Sequence, residues 1–140
     1  MPKEPTYPML FLRTNNMKET RNFYEKIFKF PVALEQSGCV IFQIGKYGYW
    51  GFCETEKEIK KPEQVCLTIV VEANEEVDEW NKYLLEHNIL STREPQETAQ
   101  YQIYNAFYKD PTGYTLEIQA FAEDGRPKGH EDFSNECNCK

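Results

Sequence analysis

The chain carries one pattern twice. Adding 57 to residue numbers in the first half lays its apolar positions on those of the second. Met9 falls on Cys66, Leu10 on Leu67, Leu12 on Ile69, Phe23 on Trp80, Ile27 on Leu84, Phe28 on Leu85 and Val32 on Ile89. Seven matches in a single register point to a duplicated unit, which limits the fold to two copies of one small motif.

The local pattern describes that motif. Residues 9–14 alternate as a strand, with Met9, Phe11 and Arg13 on one face and Leu10 and Leu12 on the other. Asn15 or Asn16 can cap a helix over 16–29, and Glu19 stands where a capping box needs it. Thr20, Phe23, Tyr24, Ile27 and Phe28 form its apolar stripe, and Pro31 ends it. Strands follow at 32–36, 39–44 and 49–54, separated by Gly-containing turns. In the third, Trp50, Phe52 and Glu54 share a face. Residues 56–63 are charged and read as a linker. The second copy has a strand at 65–72, a helix at 74–87 and strands near 90–97, 101–109 and 114–121. Pro111 and Gly113 set a tight turn before the last strand. There Leu116 and Ile118 share one face and Thr115, Glu117 and Gln119 the other. From residue 122 the chain turns polar and reads as a mobile tail over 122–140.

Composition narrows the function. A length of 140 residues suits one domain, and a net charge of −7 argues against nucleic acid and against an anionic membrane surface. No apolar run is long enough to span a bilayer, and no apolar signal region follows Met1. The expected location is cytoplasmic. Cys39, Cys53 and Cys66 lie in apolar strands and read as reduced thiols; Cys137-x-Cys139 reads as part of the tail. His87 reads as a helix-end residue and His130 as a tail residue, so no Ser-His-Asp or Cys-His set can be assembled.

Three features resemble the vicinal oxygen chelate superfamily of glyoxalase I, bleomycin- and fosfomycin-resistance proteins and extradiol dioxygenases. The stretch from Asn15 to Phe23-Tyr24 resembles its first helix, the paired units resemble its βαβββ repeat, and Asp110-Pro111-Thr112-Gly113 followed by Glu117 resembles its last hairpin. The resemblance covers residues 8–121. It implies an α+β fold of two βαβββ modules whose strands curl into half a barrel: module one 8–55, linker 56–63 and module two 64–121. It also implies that Leu10, Leu12, Leu67, Ile69, Leu116 and Ile118 pack under the helices. A cavity would then be lined by Met9, Phe11, Arg13, Trp50, Phe52, Glu54, Cys66, Thr68, Thr115, Glu117 and Gln119.

Metal-using members draw four ligands from the first and last strands of each module. Those positions fall on Met9, Glu54, Cys66 and Glu117. Both imidazoles are lost, and a thioether is a poor ligand for Mn, Fe, Ni or Mg. Two readings follow. The first is a metal-independent binder of an aromatic or cationic small molecule, with no cofactor. The second is a lyase, isomerase or dioxygenase with an altered site, in which Glu117 serves as general base and Cys66 helps hold Zn or Ni or acts as a nucleophile. Arg13 would hold a substrate anion or pair with Glu54 or Glu117. The resemblance also implies a homodimer.

Overall fold

The computed structural model describes residues 1–127. The chain forms two compact units, one of residues 1–67 with 108–116, the other of 68–107 with residues from 117 onward. Two four-stranded sheets repeat one topology. The first contains β1 (Leu10–Thr14), β2 (Val32–Gln36), β3 (Cys39–Ile44) and β4 (Gly48–Glu54) in the order β1-β4-β3-β2, with β1 parallel to β4. The second contains β5 (Cys66–Val71), β6 (Arg93–Thr98), β7 (Ile103–Lys109) and β8 (Thr115–Phe121) in the order β5-β8-β7-β6. Each lateral strand, β2 and β6, bulges against its neighbour. The repeated strand order and the repeated bulge are what a duplicated βαβββ motif produces.

In the first unit Asn16 caps α1 (Met17–Arg21) by accepting from the Glu19 N–H at 3.3 Å. A π-helical turn, Asn22–Ile27, continues it, and the Phe28 N–H reaches the Phe23 carbonyl. The wider turn brings Phe23, Tyr24 and Phe28 all into the core. The Tyr24 ring stacks on Phe52 with centroids 4.9 Å apart and also meets Phe42 and Trp50. Its hydroxyl donates to Asp110 Oδ2 at 2.9 Å across 86 residues. Asp110 Oδ1 accepts from the N–H groups of Thr112, Gly113 and Tyr114, closing the turn in which Gly113 has φ +104°. Thr14 is buried and its hydroxyl meets those of Thr20 and Thr112. The Phe-Tyr helix motif and the Asp-Pro-x-Gly turn are thus one structural joint, and the Tyr114 hydroxyl adds a bond to the Arg13 carbonyl at 2.6 Å.

In the second unit α2 (Asn74–Glu86) buries Val77 and Leu84. The Glu76 carboxylate accepts from the Ala73 N–H at 2.8 Å; this is half a capping box, since Ala73 has no side-chain oxygen. Tyr104 on β7 donates to Asp78 at 2.7 Å and ties the helix to its sheet. His87 sits at the helix end with Nδ1 2.8 Å from the Tyr83 carbonyl.

Several expectations are corrected. Cys39 and Cys53, read as reduced, form a disulfide across β3 and β4, where the antiparallel register sets them directly opposite. Cysteine usage therefore no longer argues for a reducing compartment. Leu10 is 40% exposed whereas its counterpart Leu67 is 1% exposed. Leu10 lies on an edge strand, and the aromatic side chains of the helix sit over β3 and β4 instead. The polar stretch after Phe121 starts with structure: Ala122 donates to the Gln102 carbonyl at 2.8 Å, Glu123–Gly125 form a 3-10 turn, and Arg126 pairs with Glu72 at 3.6 Å. The rest of the stretch read as a tail, with His130, Cys137 and Cys139, lies outside the described residues.

Candidate functional site

The resemblance implies a cavity on the sheet faces turned away from the helices, so strand phase decides which side chains could line it. In the first sheet, directly paired residues share a face, and β1 pairs with β4 as Leu10–Trp50, Phe11–Gly51, Leu12–Phe52, Arg13–Cys53 and Thr14–Glu54. Phe52 is fully buried under Tyr24, and Trp50 meets the Tyr24 ring edge-on. Trp50 and Phe52 therefore belong to the core and not to a cavity wall with Phe11 and Arg13. Glu54 has the same parity as Trp50 and Phe52. It is exposed and lines a cleft of about 410 Å³ with Thr14, Asn15 and Met17 beside the start of α1. The face opposite the helix carries Phe11, Arg13, Gly51 and the Cys39–Cys53 disulfide. A Cβ on Gly51 would come within 2.5 Å of the Phe11 ring, so glycine there lets the ring lie flat on β4. Phe11 and Arg13 are exposed, as is Met9, which precedes β1.

In the second unit the corresponding face is a polar network. Glu117 on β8 is 8% exposed. Its Oε1 accepts from the Thr68 hydroxyl and its Oε2 from the Asn105 amide, each at 2.8 Å. Asn105 Oδ1 accepts from Arg93 Nη1 at 2.8 Å and from the Thr98 hydroxyl at 2.9 Å. Thr98 in turn accepts from Arg93 Nη2 at 3.0 Å. Gln119 is buried two residues along β8. Thr68 and Glu117 are thus brought together. Thr115 instead donates to the Glu63 carbonyl at 2.9 Å in the first unit, where Cys66 is exposed and outside the disulfide.

A family model described as the glyoxalase/bleomycin resistance protein/dioxygenase superfamily matches residues 6–118. The chain belongs to that superfamily. Among solved structures it resembles a glyoxalase/bleomycin resistance protein/dioxygenase from Nocardioides at 17% identity and TM-score 0.74, over 91% of this chain and 90% of that one. An integron cassette protein from the mobile metagenome of a Halifax Harbour sewage outfall matches at 19% identity and TM-score 0.71, over 81% and 98%. The lactoylglutathione lyase of Agrobacterium tumefaciens matches at 20% and 0.68, over 84% and 96%. At these identities the likeness shows the fold alone. No curated protein matches the chain.

The four positions that the resemblance assigns to metal ligands carry different donors. Met9 offers a thioether, Cys66 a thiol, and Glu54 has the strand parity of the helix-covered face. Among the described residues no three His, Cys, Asp or Glu side chains gather as a metal-binding group. Sequence reasoning missed Arg93, Thr98, Asn105 and the disulfide. The alternation of β7 places Asn105 on the face opposite Tyr104 and so carried a signal. Arg93 carried none, because its phase depends on a bulge.

Proposed function

We propose that this superfamily member binds or sequesters a small organic molecule, aromatic or cationic, without a family-type metal. The observation that carries the reading is the donor set. Of the four family positions, two present sulfur, one has the parity of the helix-covered face, and Glu117 alone presents a carboxylate held by neutral donors on the opposite face. A carboxylate fixed by Thr68 and Asn105 suits a hydrogen-bond donor or a cation. The aromatic part of the ligand would lie along Phe107, which shares the second unit with Glu117.

The test is calorimetric titration of demetallated protein with Ni, Mn and Zn. Binding is expected to be weaker than about micromolar for each. Tighter binding that Glu117→Ala abolishes would overturn the reading and restore an enzyme of glyoxalase type with Glu117 as base. The same proposal includes a homodimer. Tyr7, Met9, Leu10 and Phe11, on and just before edge strand β1, are all exposed, and a strand edge with apolar side chains is a surface that a second copy would cover.

A further inference from the structure

Arg93 is the half-buried cation of the second sheet. Its strand position comes from a bulge. On β6 and β7, Gln96 pairs with Asn105, but Arg93 rather than Glu94 pairs with Phe107. One extra residue is accommodated between Arg93 and Gln96, where Pro95 has no N–H to lose from the ladder. Without the bulge, Glu94 would stand opposite Phe107. With it, the guanidinium carbon lies 5.8 Å from the Phe107 ring centroid, over the ring face.

The hydrogen-bond directions around Arg93 are fully determined. Arg93 donates to Asn105 Oδ1 and Thr98 Oγ1, Thr98 donates to Asn105 Oδ1, and Asn105 donates to Glu117. Both acceptors of Arg93 are neutral. Among the described residues no carboxylate lies within 4.0 Å of Arg93. Asn105 stands between Arg93 and Glu117 and keeps the two charges apart. Two of the five guanidinium N–H groups hold the fork in place, which leaves donors and an unpaired positive charge for a ligand.

We propose that Arg93 anchors the carboxylate of an aromatic acid whose ring lies along Phe107 and whose far end meets Glu117. This rests on the small-molecule-binding reading and narrows the ligand class within it. A guanidinium locked by two hydrogen bonds and a ring is preorganised, so it loses little freedom when it receives a carboxylate.

The experiment is proton–nitrogen correlation NMR on the full labelled chain, titrated separately with benzoate, benzamide and benzylamine. Benzoate is expected to shift the Arg93 side-chain signal and the amides of Thr98, Asn105 and Phe107. It should bind about tenfold or more tightly than benzamide. Arg93→Met should weaken benzoate by a similar factor, with partial recovery in Arg93→Lys, which keeps the charge but loses the fork. Should Arg93→Met fail to fold, the benzoate–benzamide contrast and the Arg93→Lys variant decide. Benzamide or benzylamine binding as tightly as benzoate would overturn the anchor and leave the small-molecule reading standing. No shift with any of the three would overturn both.

Discussion

Tyr24 and Asp110 form the residue pair on which the first unit depends. Burial is the main cause that raises the Asp110 carboxyl above its ordinary value, against hydrogen bonds from Tyr24, Tyr114, Thr112 and Gly113 that lower it. Burial, followed by the nearby Asp110 charge, raises the Tyr24 phenol well above its ordinary 10.0. The sign for Tyr24 follows from linkage. The folded chain holds this proton more tightly than the unfolded chain, so the contribution is intact below about pH 10 and is lost as pH rises beyond it. Denaturant titrations at increasing alkalinity should show stability falling above that point. Tyr24→Phe should cost about 1–2 kcal/mol at neutral pH, and it should flatten the alkaline fall. An unchanged alkaline slope in the variant would place the titration elsewhere, Tyr114 being the next candidate because burial raises its phenol too.

At the scale of the element, hairpin β3–β4 stands out because it is cross-linked where the ladder already pairs it. The Cys39–Cys53 bridge closes a sequence separation of 14 residues. A loop of that size corresponds to about 3 kcal/mol in the chain-entropy account, an upper value here because residues 40–44 and 48–52 are also held by the sheet. Dithiothreitol, or the double variant Cys39→Ser/Cys53→Ser, should lower the thermal midpoint by several degrees while the far-ultraviolet circular dichroism of the folded state stays the same. A midpoint unmoved by reductant would mean that the bridge adds nothing to the hairpin's own pairing. The edge strands β2 and β6 show the other element-level device. Each bulges, which discourages edge-to-edge growth, and in β6 the bulge also selects Arg93 over Glu94 for the sheet face.

For the whole molecule the strongest unexplained surface is the β1 edge. Monomeric proteins rarely leave four large apolar side chains together, and Tyr7, Met9, Leu10 and Phe11 are between 39% and 55% exposed. Light scattering at tens of micromolar should return twice the mass of the 16.5 kDa chain. Phe11→Glu, which places a charge on that face, should shift the population toward monomer, and a wild-type monomer would refute the dimer. The net charge of −7 would favour the solubility of such an assembly and disfavours anionic ligands at long range. An aromatic acid at Arg93 would therefore bind through local contacts, and added salt should weaken it only modestly.

Much of this architecture follows from local pattern. Periodicity of two and of 3.6 places α2, β2 and β3 within a residue or two of where they lie. The Asn16 cap and the positive φ of Gly113 follow from side-chain chemistry within a few residues. The 57-residue register anticipates the repeated strand order because a duplicated sequence repeats its hydrophobic faces. What alternation cannot supply is phase between strands. It tells that Trp50, Phe52 and Glu54 share a face, but only the β1–β4 pairing turns that face toward Tyr24 instead of Phe11. The cross-strand disulfide needs the β3–β4 register, and the position of Arg93 needs the β6–β7 bulge; both are set by pairing between segments that are separate in sequence. A one-residue shift in strand pairing reverses every side chain, so the sheet face that each candidate residue occupies was decided in the tertiary structure, where that register is chosen.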